Sequence, residues 1–156
     1  MSSEIHVLDP VRFITARRLD LIIKRRLFLH WFNGDDPQAE LIYLEHIARR
    51  AGAQFQPMGT YLPAARYLFR SMQARGFDHK HPIPVNRDWE LLGGAHRTAC
   101  AYVLGLNVYV EKLDTSHLWP AWGREWFLAN GMADELSWIE NELQGLTVAP
   151  PRAVHA

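Results

Sequence analysis

The sequence predicts an α-rich α+β domain with a small mixed sheet. Three observations lead there. Residues 82–112 alternate short apolar runs, a glycine turn and an alanine-rich stretch, in the order strand, turn, strand, Gly-Gly turn, helix, strand. The segments on either side carry apolar residues at helical spacing. Of the 156 residues, 48% are hydrophobic, which suits a single core of useful size.

Taken in order, residues 1–7 form a frayed end or a short edge strand. Asp9-Pro10 starts a helix, because aspartate caps and proline fits the first turn. Val11–Phe32 is helical, in one or two pieces, and apolar on several sides, so it is expected to be buried. Asp36-Pro37 starts a second helix that runs to about Arg50 and ends at Gly52. Its apolar arc is Leu41, Tyr43, Leu44, Ile47 and Ala48, with Glu45 on the margin and His46 in solvent. Thr60 caps a third helix, Tyr61–Arg75, stopped by Gly76. Ile83–Val85 and Trp89–Leu92 are short strands around an Asn86-Arg87-Asp88 turn. Gly93-Gly94 turns the chain into a helix ending near Leu104, with Gly105 as its stop. Asn107–Val110 is the last strand. Trp119, Trp122, Trp126 and Phe127 follow near helical spacing and are expected in the core; the alternative is that one or two of them line the substrate pocket or an oligomer interface. A final helix, about Ala133 to Leu143, ends at Gly145. One domain is expected over 1–148, with a flexible tail over 149–156.

Formal charge is zero, with 17 basic and 17 acidic residues. Broad nucleic-acid binding rests on an excess of Lys and Arg, so neutrality argues against it. The single cysteine, Cys100, excludes an internal disulfide and a thiolate zinc cluster; it is expected as a small buried residue. His79-Lys80-His81 is expected as a loop, and no metal ligands are assigned. Leu19–Phe32 is interrupted by Lys24-Arg25-Arg26 and is too short to span a bilayer; with no signal-peptide core, a cytoplasmic location is expected.

The chemistry concentrates at Gly93-Gly94-Ala95-His96-Arg97-Thr98. A glycine turn before a helix start exposes backbone N–H groups and the positive end of the helix dipole, a setting for an anion. Arg97 adds a planar fork, while His96 and Thr98 add donors. Upstream, Asp20 and Lys24 stand at i,i+4, and Arg18 and Arg25 share another face. Arg18 and Lys24 either make surface ion pairs or lean into the phosphate site. A partly desolvated carboxylate at Glu45 would have a raised pKa and suit a general base.

Gly-Gly-Ala-His-Arg between short strands, followed by an alanine-rich helix and Leu-Gly-Leu-Asn-Val, resembles the signature of the ParB/sulfiredoxin superfamily over Ile83 to Val110. Its members carry Gly-x-His-Arg or Gly-x-Arg-Arg at a helix start, where it holds nucleotide phosphates. They include partition CTPases, ATP-dependent sulfinic-acid reductases and kinases of free serine. The reductases need a cysteine where this chain has Ala95, so that activity is not expected. The serine kinases usually have Asp-Gly where this chain has Gly93-Gly94. The resemblance implies a nucleotide-dependent phosphotransferase acting on a hydroxyl of a small metabolite or sugar. ATP or another nucleotide would be held by Gly93, Gly94, His96, Arg97 and Thr98, with Arg18 and Lys24 beside them. Mg²⁺ would bridge the phosphates, and Glu45 or Asp20 would be the base. The alternative is a non-catalytic nucleotide or phosphate switch, or a ParB-like DNA adaptor.

Overall fold

A computed structural model describes residues 3–56, 59–118 and 121–148. Three strands make one sheet: β1 (Glu4–Leu8), β2 (Ile83–Val85) and β3 (Val108–Lys112). The order is β1-β3-β2, with β1 antiparallel and β2 parallel to the central β3. A parallel pair needs a crossover, and helix α4 (Ala95–Leu104) supplies it. Its Ala99, Cys100 and Ala101 are fully buried, and these small side chains let neighbours approach closely.

Helix α1 (Asp20–Asn33) packs most extensively on α4. Leu21, Ile22, Ile23, Leu27 and Phe28 are all buried, so its first half is covered on nearly every side. Each such side chain contributes about 1.5–3 kcal/mol relative to exposure. Helix α2 (Ala39–Ala51) packs on α1, and α3 (Tyr61–Arg75) packs on α4. Helices α5 (Arg124–Ala129) and α6 (Ala133–Val148) close the other side. One hydrophobic cluster runs through all of these elements. No helix among the described residues is long and apolar enough to cross a membrane.

The expected elements form, with three departures. Val11–Phe32 takes the two-piece option: a 3-10 turn (Pro10–Phe13), capped by the Val11 N–H on Asp9 Oδ1 at 2.9 Å, gives way to irregular chain before α1 starts at Asp20. Trp89–Leu92 is not a strand. The buried Asn86 side chain accepts hydrogen bonds from the Asp88 and Glu90 N–H groups, both at 2.9 Å, and folds the segment back. Trp89 is left at φ 64°, a strained backbone for a bulky residue, held between Arg12 and Lys112. The last helix continues past Gly145, where Leu146 packs against the core. His46, expected in solvent, is fully buried because Trp126 and Phe127 of α5 cover that side of α2. Trp119 and the 149–156 tail lie outside the described residues.

Candidate phosphate-binding site

Gly94 is the residue that aims α4. It adopts φ 72°, and a β-carbon there would lie 2.9 Å from two Ile83 side-chain atoms, so only glycine fits. A cavity of about 360 Å³ opens over this helix start, near the small end of ligand-pocket sizes. It is lined by Gly93, Gly94, Ala95 and His96 on one side and by Arg18, Asp20, Lys24, Arg50 and Trp122 on the other.

Chain clipping assembles the second wall. The Leu19 N–H donates to the Trp122 carbonyl at 2.9 Å, and the Trp122 N–H donates to the Arg17 carbonyl at 3.0 Å. A β-carbon on Gly123 would lie 2.7 Å from the Ala16 carbonyl oxygen, so this approach also depends on glycine. Trp122 is thereby placed under two guanidiniums, with Arg50 3.9 Å and Arg18 5.3 Å from its ring centroid.

Asp20 is fully buried and grips two cations. Arg18 donates to both of its oxygens, at 2.9 and 3.0 Å, and Lys24 Nζ donates to Oδ2 at 3.0 Å. Burial pushes the Asp20 carboxyl up, but Lys24 and Arg18 outweigh it and hold it far below the usual carboxylate range. Burial pulls Lys24 down to about 8 against the attraction of Asp20, with Arg50 adding repulsion. His96 shares a 2.7 Å hydrogen bond, through Nε2, with the hydroxyl of Tyr43. Burial, then Lys24 and Arg50, lower His96 to about 3, so its imidazole is neutral. Burial raises the Tyr43 phenol to about 12. Among the described residues the lining therefore holds three cations against one carboxylate, whose oxygens are both engaged.

No family model, curated protein or solved structure matches the chain. The resemblance over Ile83 to Val110 thus stands on its motif.

The structure brings Arg18, Asp20, Lys24, Gly93, Gly94 and His96 together. It does not bring in the other three expected residues. The Arg97 guanidinium donates to the His81 carbonyl and lies 5.6 Å from the Phe77 ring centroid, outside the lining, because consecutive residues on a helix face different ways. The buried Thr98 hydroxyl donates to the Gly94 carbonyl at 2.9 Å and so closes the first turn of α4. Glu45 is partly buried, as its place on the wheel implies, but it faces Arg49 at 3.7 Å and lies outside the lining. Trp122 takes the pocket-lining alternative open to the aromatic run, whereas Arg50 and Tyr43 carry no motif in the sequence. Tyr43, His46 and Arg50 recur at i, i+3 and i+7 on α2, a spacing that could have flagged a shared face.

The donor set fits phosphate oxygens: charged forks, an ammonium and a helix start. It does not fit Mg²⁺. No group of three or more His, Cys, Asp or Glu that could hold a metal occurs among the described residues, and both oxygens of Asp20 are taken.

Proposed function

We propose that the cavity at the start of α4 holds the phosphates of a nucleotide, and that the protein is a small phosphotransferase acting on a hydroxyl of a small metabolite or sugar. One observation carries the proposal: Arg18, Lys24 and Arg50, from three parts of the chain, converge on the Gly93–His96 helix start with a single, fully engaged carboxylate among them. Among the described lining residues two positive charges are left without a counterpart, and a phosphate group would supply one. ATP or another nucleoside triphosphate would supply the phosphoryl group. Arg18, Lys24 and Arg50 would neutralise its oxygens, and the α4 N–H groups would fix its position. Such transfer needs mostly positioning and charge stabilisation, which this arrangement offers. Asp20 would orient Arg18 and Lys24, since a carboxylate held so far below neutral pH is a weak base. The ParB/sulfiredoxin motif supports the nucleotide assignment.

A second reading is a non-catalytic phosphate switch. It is favoured by Asp20, whose carboxylate, single among the described lining residues, has both oxygens engaged. Thermal melts with ATP, ADP, CTP and inorganic phosphate test the shared claim of binding. A saturable rise in melting temperature is expected, and no rise with any of them would end both readings. Transfer of labelled γ-phosphate to a panel of hydroxyl metabolites then separates kinase from switch.

A further inference from the structure

We propose that Tyr43 is a positioning residue that fixes the Nδ1–H tautomer of His96, so that His96 donates a hydrogen bond into the cavity. The inference rests on the phosphate-binding reading of the cavity. A neutral imidazole has one donor and one acceptor nitrogen, and the partner of one nitrogen decides the role of the other. Here Nε2 faces the Tyr43 hydroxyl at 2.7 Å. Two arrangements are open. If Nε2–H donated to the phenol oxygen, the phenol proton would need another acceptor. Among the described residues His96 is the sole hydrogen-bond partner of that hydroxyl, and Tyr43 is buried on α2. A buried hydroxyl proton without a partner is costly, so that arrangement is disfavoured. If instead the phenol donates to Nε2, both groups are satisfied and the proton of the ring stands on Nδ1.

Nδ1 is the nitrogen left for a ligand. Among the described residues no hydrogen bond engages it, it is not among the buried polar atoms that lack a partner, and His96 lines the cavity. The edge-on packing of the two rings, 5.7 Å between centroids and 84° apart, keeps the imidazole from turning. The result is a neutral donor beside three cations. It contributes a hydrogen bond to an anion without adding a further charge to a crowded site. An Nε2–H tautomer would present a lone pair to the anion, and repel it.

Two measurements test this. Nitrogen-15 spectra of the His96 ring in the ligand-free protein should show Nδ1 protonated and Nε2 bare, with Tyr43→Phe shifting the population toward Nε2–H. A wild-type ring protonated on Nε2 overturns the proposal. Inorganic phosphate should bind about tenfold more weakly to Tyr43→Phe. In a His96→Asn background the amide nitrogen stands where Nδ1 was and donates whatever Tyr43 does, so Tyr43→Phe should then change affinity less than about twofold. An equal loss in both backgrounds would make Tyr43 a structural residue only. If wild-type protein binds no phosphate at all, the function proposed for the cavity fails, and the ring spectra still decide the tautomer.

Discussion

Helix α1 has a cavity on each of two sides, and they are nearly the same size. One, of about 360 Å³, opens over the start of α4; the other, of about 370 Å³, lies against α6. Both are rich in arginine, and both stack a guanidinium on a tryptophan: Arg50 on Trp122 in the first, Arg26 on Trp138 in the second. Their charge balance differs. In the second, Arg25 pairs with Glu142 and Arg26 with Asp36, so each cation has its own carboxylate. In the first, three cations share Asp20. Size and aromatic lining therefore do not separate the two cavities; unmatched charge next to a helix start does.

The comparison is easiest to break at the carboxylates. Asp20→Ala leaves Arg18 and Lys24 buried without an anion and should cost about 3–5 kcal/mol in denaturant unfolding, with added phosphate restoring part of it. Asp36→Ala, on a partly exposed pair, should cost about 1 kcal/mol or less. Equal losses would make the two cavities equivalent. At the level of binding, Arg50→Met should weaken phosphate by about tenfold or more, the worth of a charge-assisted hydrogen bond, as read by calorimetric titration. Arg26→Met should stay within about twofold of wild type.

Acidity sharpens the contrast further. Burial pulls Lys24 down to about 8, while a bound anion favours the charged form. Phosphate affinity should therefore fall as pH rises from about 8 toward the ordinary lysine value, and Lys24→Arg should flatten that fall. Affinity that is level up to pH ~10 would remove Lys24 from the site.

A further contrast concerns His46, whose imidazole is repelled by Lys24 and Arg50 of the same cavity. It is fully buried, stacked 5.6 Å from Phe127, and neither ring nitrogen has a hydrogen-bond partner among the described residues. Burial, helped by Lys24, lowers it from 6.5 to about 2. The unfolded chain binds the extra proton between those values, so this group makes stability fall as pH drops below 6.5, by about 1.4 kcal/mol per unit. His46→Phe should remove that slope and add about 1 kcal/mol near pH 7, since a buried polar ring without partners is replaced by an apolar one. A loss of stability at neutral pH would show that His46 has a partner in solution.

Much of this was legible in the sequence because it is local. Gly94, the Ala95–Leu104 helix and the Ile83 and Val108 strands follow from turn chemistry and periodicity over a few residues. Asp20 and Lys24 were legible as a pair from their spacing, but their burial was not, because it depends on α4 and α2 covering α1. Arg97 and Thr98 were assigned by adjacency to the motif, yet the helix turns one toward His81 and spends the hydroxyl of the other on Gly94. Glu45 was placed by its position on a helical wheel, which does not say which neighbour covers each face. Trp122 is more than a hundred residues from Arg18 in sequence, and only the clip at Arg17–Leu19 brings them together.

The central claim is that phosphate groups bind where α4 begins. Its most direct test is a backbone-amide resonance map during titration with ATP and with inorganic phosphate at constant ionic strength. The account predicts saturable shifts at Gly94, Ala95 and His96 with little change around Arg26 and Trp138. Shifts centred on the α1–α6 cavity, or none at the start of α4, would contradict it.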